Sequence, residues 1–179
     1  MNTKNYILYL LFATLLYPLT LFAQETVNST GFLPDVKSDL SESQEKIISL
    51  AEAIPAEKYT WRPEKEVRSV SEVLMHVAGS NYYLMSFTGI KTPKNTGENM
   101  KKDVTDKEKV IAALKTSFSD LFNNLQTLDE KMLDNRVEMF GNKVSIRAVI
   151  FTEMGDLHEH LGQLIAYARM NGVVPPWSK

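Results

Sequence analysis

The chain has 179 residues, 44% hydrophobic and 23% charged, which is globular composition at the length of one domain. It has no Cys, and this excludes a disulfide framework, a thiolate zinc site, an iron–sulfur cluster and a Cys nucleophile together. Twenty Lys and Arg against 22 Asp and Glu leave a net charge of −2, the wrong balance for a surface that tracks phosphates, so no nucleic acid is expected as a partner.

The first residues read as an export signal. Lys4 supplies the positive end, Tyr6 to Phe22 is almost wholly apolar, and Ala23 is a small residue before Gln24. Cleavage after Ala23 removes residues 1–23, leaves no membrane segment, and places the mature protein in a periplasmic or extracellular space. The alternative is an uncleaved anchor, but a run of about 17 residues is at the lower limit for a bilayer span, and Pro18 late in the run favours cleavage. A polar lead-in over residues 24–34 then precedes a domain expected at residues 35–179.

Helical periodicity begins with Val36, Leu40, Ile47, Ile48, Leu50 and Ala51, and Pro55 ends it. Trp61-Arg62-Pro63 breaks the pattern and suggests an aromatic lid over one end of the core. A second helix opens on the capping box Ser69-Val70-Ser71-Glu72 and runs to about Phe87, where Thr88-Gly89 stops it. Residues 90–103 read as a long polar connection. Thr105-Asp106-Lys107-Glu108 is read as a second capping box, opening a third helix marked by Val110, Leu114, Phe118, Leu121 and Leu125. A short irregular or hairpin segment follows, with Gly141-Asn142 as its turn. The fourth helix starts after Ser145, carries Ile146, Ile150, Met154, Leu157, Leu161, Leu164 and Ala168 at helical spacing, and stops at Asn171-Gly172. Four amphipathic helices make an all-α, four-helix bundle the economical architecture.

The three histidines, His76, His158 and His160, lie on the second and fourth helices. At about 100° per residue, His158 and His160 point to opposite sides, so they do not chelate one ion together. His160 shares a stripe with Val149, Glu153, Asp156, Gln163 and Tyr167 at the border of the core stripe, whereas His158 and Glu159 belong to the surface. Asp156 and His160 stand at i, i+4, where two side chains hold one ion or one hydrogen bond. Glu72, His76, Ser80 and Tyr83 make a matching stripe on the second helix. If these helices are neighbours, His76, Asp156 and His160 converge on a donor set suited to Zn, Fe, Ni or Mn. A single ion joins the two rings only if their nitrogens lie within about 6 Å. The plainer alternative is an intrahelical Asp–His pair and a satisfied structural histidine. Glu153 is open to two readings as well, a general base or orienting group, or a solvated helix-face carboxylate. Trp61, Tyr82 and Tyr83 read as core and lid more than as a stacking surface for substrate.

Three stretches together resemble the DinB-like family: Ala53-Ile54-Pro55 with Tyr59-Thr60-Trp61-Arg62-Pro63; Ser69 to Ala78; and His158-Glu159-His160-Leu161-Gly162-Gln163-Leu164 with Asn171-Gly172-Val173-Val174-Pro175-Pro176. The resemblance implies a four-helix bundle in an up-down-down-up arrangement. This architecture is shared by thiol-dependent transferases and by metal-dependent hydrolases and isomerases. It also implies a divalent metal on three histidines, whose positions fall here on His76, Asp156 and His160. The middle position departs from the pattern, because Asp replaces His and lowers the preference for soft metals. DinB-like bundles often pair as homodimers, although no interface is visible in this sequence.

Two functions follow as expectations. One is an exported metal-dependent enzyme, a hydrolase of an unknown small molecule, with Glu153 or Tyr83 assisting. The other is a non-catalytic bundle that binds a small ligand or partner and has lost the metal. No thiol cofactor is expected in either, since such thiols are mainly cytoplasmic.

Overall fold

The computed structural model describes residues 30–93 and 104–178. The expected export signal, residues 24–29 of the polar lead-in and residues 94–103 of the connection lie outside the described residues. Four helices make up the bundle: α1 Phe32–Ala53, α2 Val70–Ser86, α3 Lys107–Gln126 and α4 Ile146–Met170. Their apolar faces meet in one core that includes Leu40, Leu50, Leu74, Phe118, Ile150 and Leu164, all fully buried. Among the described residues no helix is long and apolar enough to cross a membrane.

Side-chain pairs fix the helix directions. Phe32 lies against Phe151 and Asp39 against His158, so α1 and α4 run in parallel. Asn81 meets Ser117 and Tyr82 meets Asp120, so α2 and α3 are parallel too. His76 packs on His160 and Ser80 bonds Asp156, so α2 and α4 run opposite, and Lys107 at the start of α3 donates to the Ile54 carbonyl just past the end of α1, so α1 and α3 run opposite too. The order is therefore up-down-down-up, as the resemblance implied.

Three local boundaries differ from expectation. α1 starts at Phe32, before the expected boundary, because the Leu33 N–H donates to the distant Glu130 carboxylate at 2.9 Å. Pro34 fits there, since a first-turn residue has no intrahelical partner for its missing N–H. The Thr105 box does not form. Asp106 caps α3 instead, accepting from the Lys109 N–H at 3.0 Å. A carboxylate caps as well as a hydroxyl and gains from the positive end of the helix dipole. The boxes at Ser69 and the cap at Ser145 are formed as expected.

The hairpin pairs β1 Arg136–Met139 with β2 Asn142–Ser145, and its turn is Phe140-Gly141, one residue before the expected Gly141-Asn142. Both turn residues have left-handed backbones, φ 53 at Phe140 and φ 76 at Gly141, as a two-residue turn with matching twist requires. This register sets Val137 opposite Val144, and both pack on the Leu84–Met139–Val149 cluster. A slip of one residue would turn one of them away from that cluster, which outweighs the preference for Asn in the turn.

Candidate metal centre

α2 is buried almost all round; within it only Glu72, His76, Tyr83 and Ser86 escape full burial. Three of these belong to the stripe that the helical period places on one face, and that face looks across at α4. There the antiparallel packing of α2 and α4 brings His76 opposite His160 and Ser80 beside Asp156.

One ligand atom each from His76, Asp156 and His160 lies within 4.8 Å of the others. The His76 and His160 rings are edge to face, with centroids 4.6 Å apart. The two imidazoles and the carboxylate thus meet from two helices, inside the separation that one ion can join. His160 is nearly buried and Asp156 and His76 are partly exposed, so the cluster opens to solvent on its His76 side.

A chain of hydrogen bonds orients His160. Its Nδ1 lies 3.0 Å from Gln163 Oε1, while Gln163 Nε2 donates to Tyr167 Oη at 2.9 Å and Tyr167 Oη donates to the Arg68 carbonyl at 3.1 Å. Only a protonated Nδ1 satisfies Gln163 Oε1, which leaves Nε2 aimed at Asp156 Oδ1, 3.5 Å away. A neutral ring therefore presents a lone pair to a carboxylate. Either a proton or a cation between them resolves the conflict. Asp156 Oδ2, moreover, is buried with no hydrogen-bond partner. These features fit a divalent ion held by two imidazole nitrogens and one carboxylate oxygen.

The electrostatics agree. Burial pushes the Asp156 pKa up, but His160, His76 and the Ser80 hydroxyl outweigh it and hold the carboxyl below its ordinary value. Burial likewise pushes the His160 ring down, and Asp156, Gln163 and Glu159 overcome it, raising the ring above its ordinary value.

Glu153 is fully buried, so the solvated helix-face reading does not hold. The Asn81 amide lies between Glu153 Oε1 and Ser117 Oγ, 3.0 Å from each. With its nitrogen toward Glu153, the amide also reaches the Val77 carbonyl at 3.1 Å. Glu153 Oε2 has no partner. Burial, and then the negative Asp156, push the Glu153 pKa up to about 8, which makes it a neutral acid at pH 7. The helical wheel of α4 does not show Asn81 or Ser117, because the partner of this carboxyl comes from α2 and is held in turn by a hydroxyl of α3. Gln163 was visible on the stripe, and its i, i+3 spacing from His160 is the signal for its role.

Tyr83 lies on the His76 face, its ring against Phe87 and Phe140 with centroids 5.0 and 6.1 Å away. His158 is on the outer side, with Nδ1 2.9 Å from the Met154 carbonyl and Nε2 3.6 Å from Asp39. Trp61 packs edge-on against Tyr167 at 5.4 Å and covers the end of the core beside the site.

Comparison with known proteins agrees with this architecture. The uncharacterized protein YjoA of Bacillus subtilis is 28% identical over 126 residues, covering 69% of this chain and 80% of that protein. The crystal structure of a DinB-like protein from Bacillus cereus superposes with a TM-score of 0.72 at 17% identity, covering 80% of this chain and 95% of the other. That of YjoA gives 0.63 at 24% identity, covering 77% and 92%. Residues 39–164 match the model of the DinB superfamily, and the chain belongs to that superfamily.

Proposed function

We propose that this protein is a metal-dependent hydrolase of a small molecule, with His76, Asp156 and His160 holding one divalent ion. The convergence of their ligand atoms within 4.8 Å carries the reading. Zn, Ni, Fe and Mn all suit this donor set, and the carboxylate favours the harder ions more than a third imidazole would. When bound, such an ion supplies Lewis acidity toward a water or a carbonyl or phosphoryl oxygen.

The chain's own groups supply the rest. Gln163 holds the His160 ring with Nε2 facing the cluster. Glu153, kept protonated by burial, stores a proton one helical turn from Asp156 and acts as an acid rather than a base at neutral pH. Tyr83 stands on the same face as His76, with its ring on Phe87 and Phe140, and assists by holding substrate. The apolar run from Tyr6 to Phe22 supports export, and export favours hydrolysis over thiol transfer.

One distance favours a second reading, a ligand-binding bundle without metal. At 3.5 Å, His160 and Asp156 satisfy each other as an ion pair once the ring is protonated. Elemental analysis of untagged protein after exposure to Zn, Ni, Mn and Fe(II), beside a His160→Ala variant, separates the two. Near-stoichiometric metal that is lost in the variant supports the metal centre. Absence of metal from both removes it.

A further inference from the structure

The face of α2 that carries His76 does not end at the metal residues. His76, Ser80, Tyr83 and Phe87 stand at i, i+4, i+7 and i+11 along one face of the helix, with His76, Tyr83 and Phe87 partly exposed and Ser80 buried between them. From His76 to Tyr83 the helix rises about 10 Å. At the far end of this stripe the hairpin folds over α2. Phe140 at its tip lies 5.3 Å from Phe87 and 6.1 Å from Tyr83, and Tyr83 lies 5.0 Å from Phe87, between ring centroids.

Phe140 is unusual in two independent ways. It is 57% exposed, one of the most exposed large apolar side chains among the described residues. It also occupies a left-handed turn position, φ 53, where Asn, Asp or Gly would sit with less strain. A bulky aromatic there costs stability twice, through backbone strain and through apolar exposure. Its packing on two other aromatic rings recovers part of that cost and fixes the ring beside the stripe. The neighbouring turn residue, Gly141, has open space around it, so the tip is not crowded into this conformation by its surroundings.

We infer that Tyr83, Phe87 and Phe140 form the apolar end of a substrate groove whose reactive end is the His76–Asp156–His160 cluster. The inference rests on the metal-centre reading. The substrate class is an amphiphilic small molecule: a hydrolysable or metal-coordinating polar group joined to an aromatic or alkyl group about 10 Å away. A polar substrate of the size of a single amino acid or phosphate ester reaches the cluster without touching the aromatic end.

Two hydroxamates serve as probes on the zinc-loaded protein, measured by calorimetry. Acetohydroxamate offers only the chelating head, and phenylhexanohydroxamate adds a spacer and a ring. The wild type should bind the phenyl compound at least about tenfold more tightly, the gain expected from burying most of a phenyl group. Phe140→Asn should abolish most of that gain and leave acetohydroxamate affinity within about twofold. Because Asn suits this turn position better than Phe, the variant should keep or raise the thermal midpoint, so lost binding is not lost folding. Equal affinity for the two probes in the wild type overturns the inference, as does a difference that Phe140→Asn leaves intact. Failure of the protein to hold zinc overturns the metal-centre reading itself and the inference with it, whereas failure of both hydroxamates to bind the zinc-loaded protein overturns the inference alone.

Discussion

Asp156 and His160, one turn apart on α4, face each other with Oδ1 3.5 Å from Nε2, while Gln163 occupies the other ring nitrogen. The pair is thus aligned but not closed, since 3.5 Å is too long for a strong hydrogen bond.

Gln163→Leu should leave the fold intact and weaken zinc binding by about 10- to 100-fold, the usual effect of removing a partner that orients a ligating imidazole. Competition with a chromogenic chelator measures it. An unchanged affinity would mean that His160 is not a ligand through Nε2.

Asp156→His should shift metal preference. A third neutral imidazole removes a negative charge and favours Zn and Ni over Mn. Competition among these ions, read by elemental analysis after dialysis, should show a higher Zn-to-Mn ratio than in the wild type.

Glu153→Gln should stabilise the metal-free protein at neutral and mildly alkaline pH. The folded pKa of about 8 lies above the ordinary carboxyl value of 4.5, so the folded state holds this proton more tightly than the unfolded chain. The stability it confers is complete below the unfolded pKa and is lost as pH rises toward 8. Gln keeps an oxygen for Asn81 and does not ionise. Unfolding free energies from urea titrations in chelator should converge below about pH 4.5 and separate, in favour of the variant, by about 4 kcal/mol near pH 8.

Glu130→Ala should fray the first turn of α1. It removes the side chain that accepts the Leu33 N–H, and the loss of such a cap costs about 0.5–2 kcal/mol. Hydrogen exchange at Leu33 should quicken while exchange at Leu50, in the last turn, stays slow.

The parts that were legible in the sequence are those where the deciding groups are close along the chain. The capping box at Ser69 and Glu72 and the cap at Ser145 are local chemistry. The facing of His160 and Asp156, and the turning away of His158, follow from the helical period alone. The start of α1 was not legible because its cap is Glu130, 97 residues away. The burial of Glu153 escaped for the same reason, since Asn81 reaches it from α2 and is itself held by Ser117 of α3. The hairpin turn was misplaced because Gly-Asn is the better local signal, whereas the packing of Val137 and Val144 chose the register.

The relay from His160 through Gln163 and Tyr167 ends on the carbonyl of Arg68, the residue just before the Ser69 cap of α2. α2 carries His76, so the first turn of the helix that brings one imidazole is tied to the orientation of the other. The two rings are therefore joined twice, once across the cluster and once by covalent and hydrogen-bonded links that bypass it.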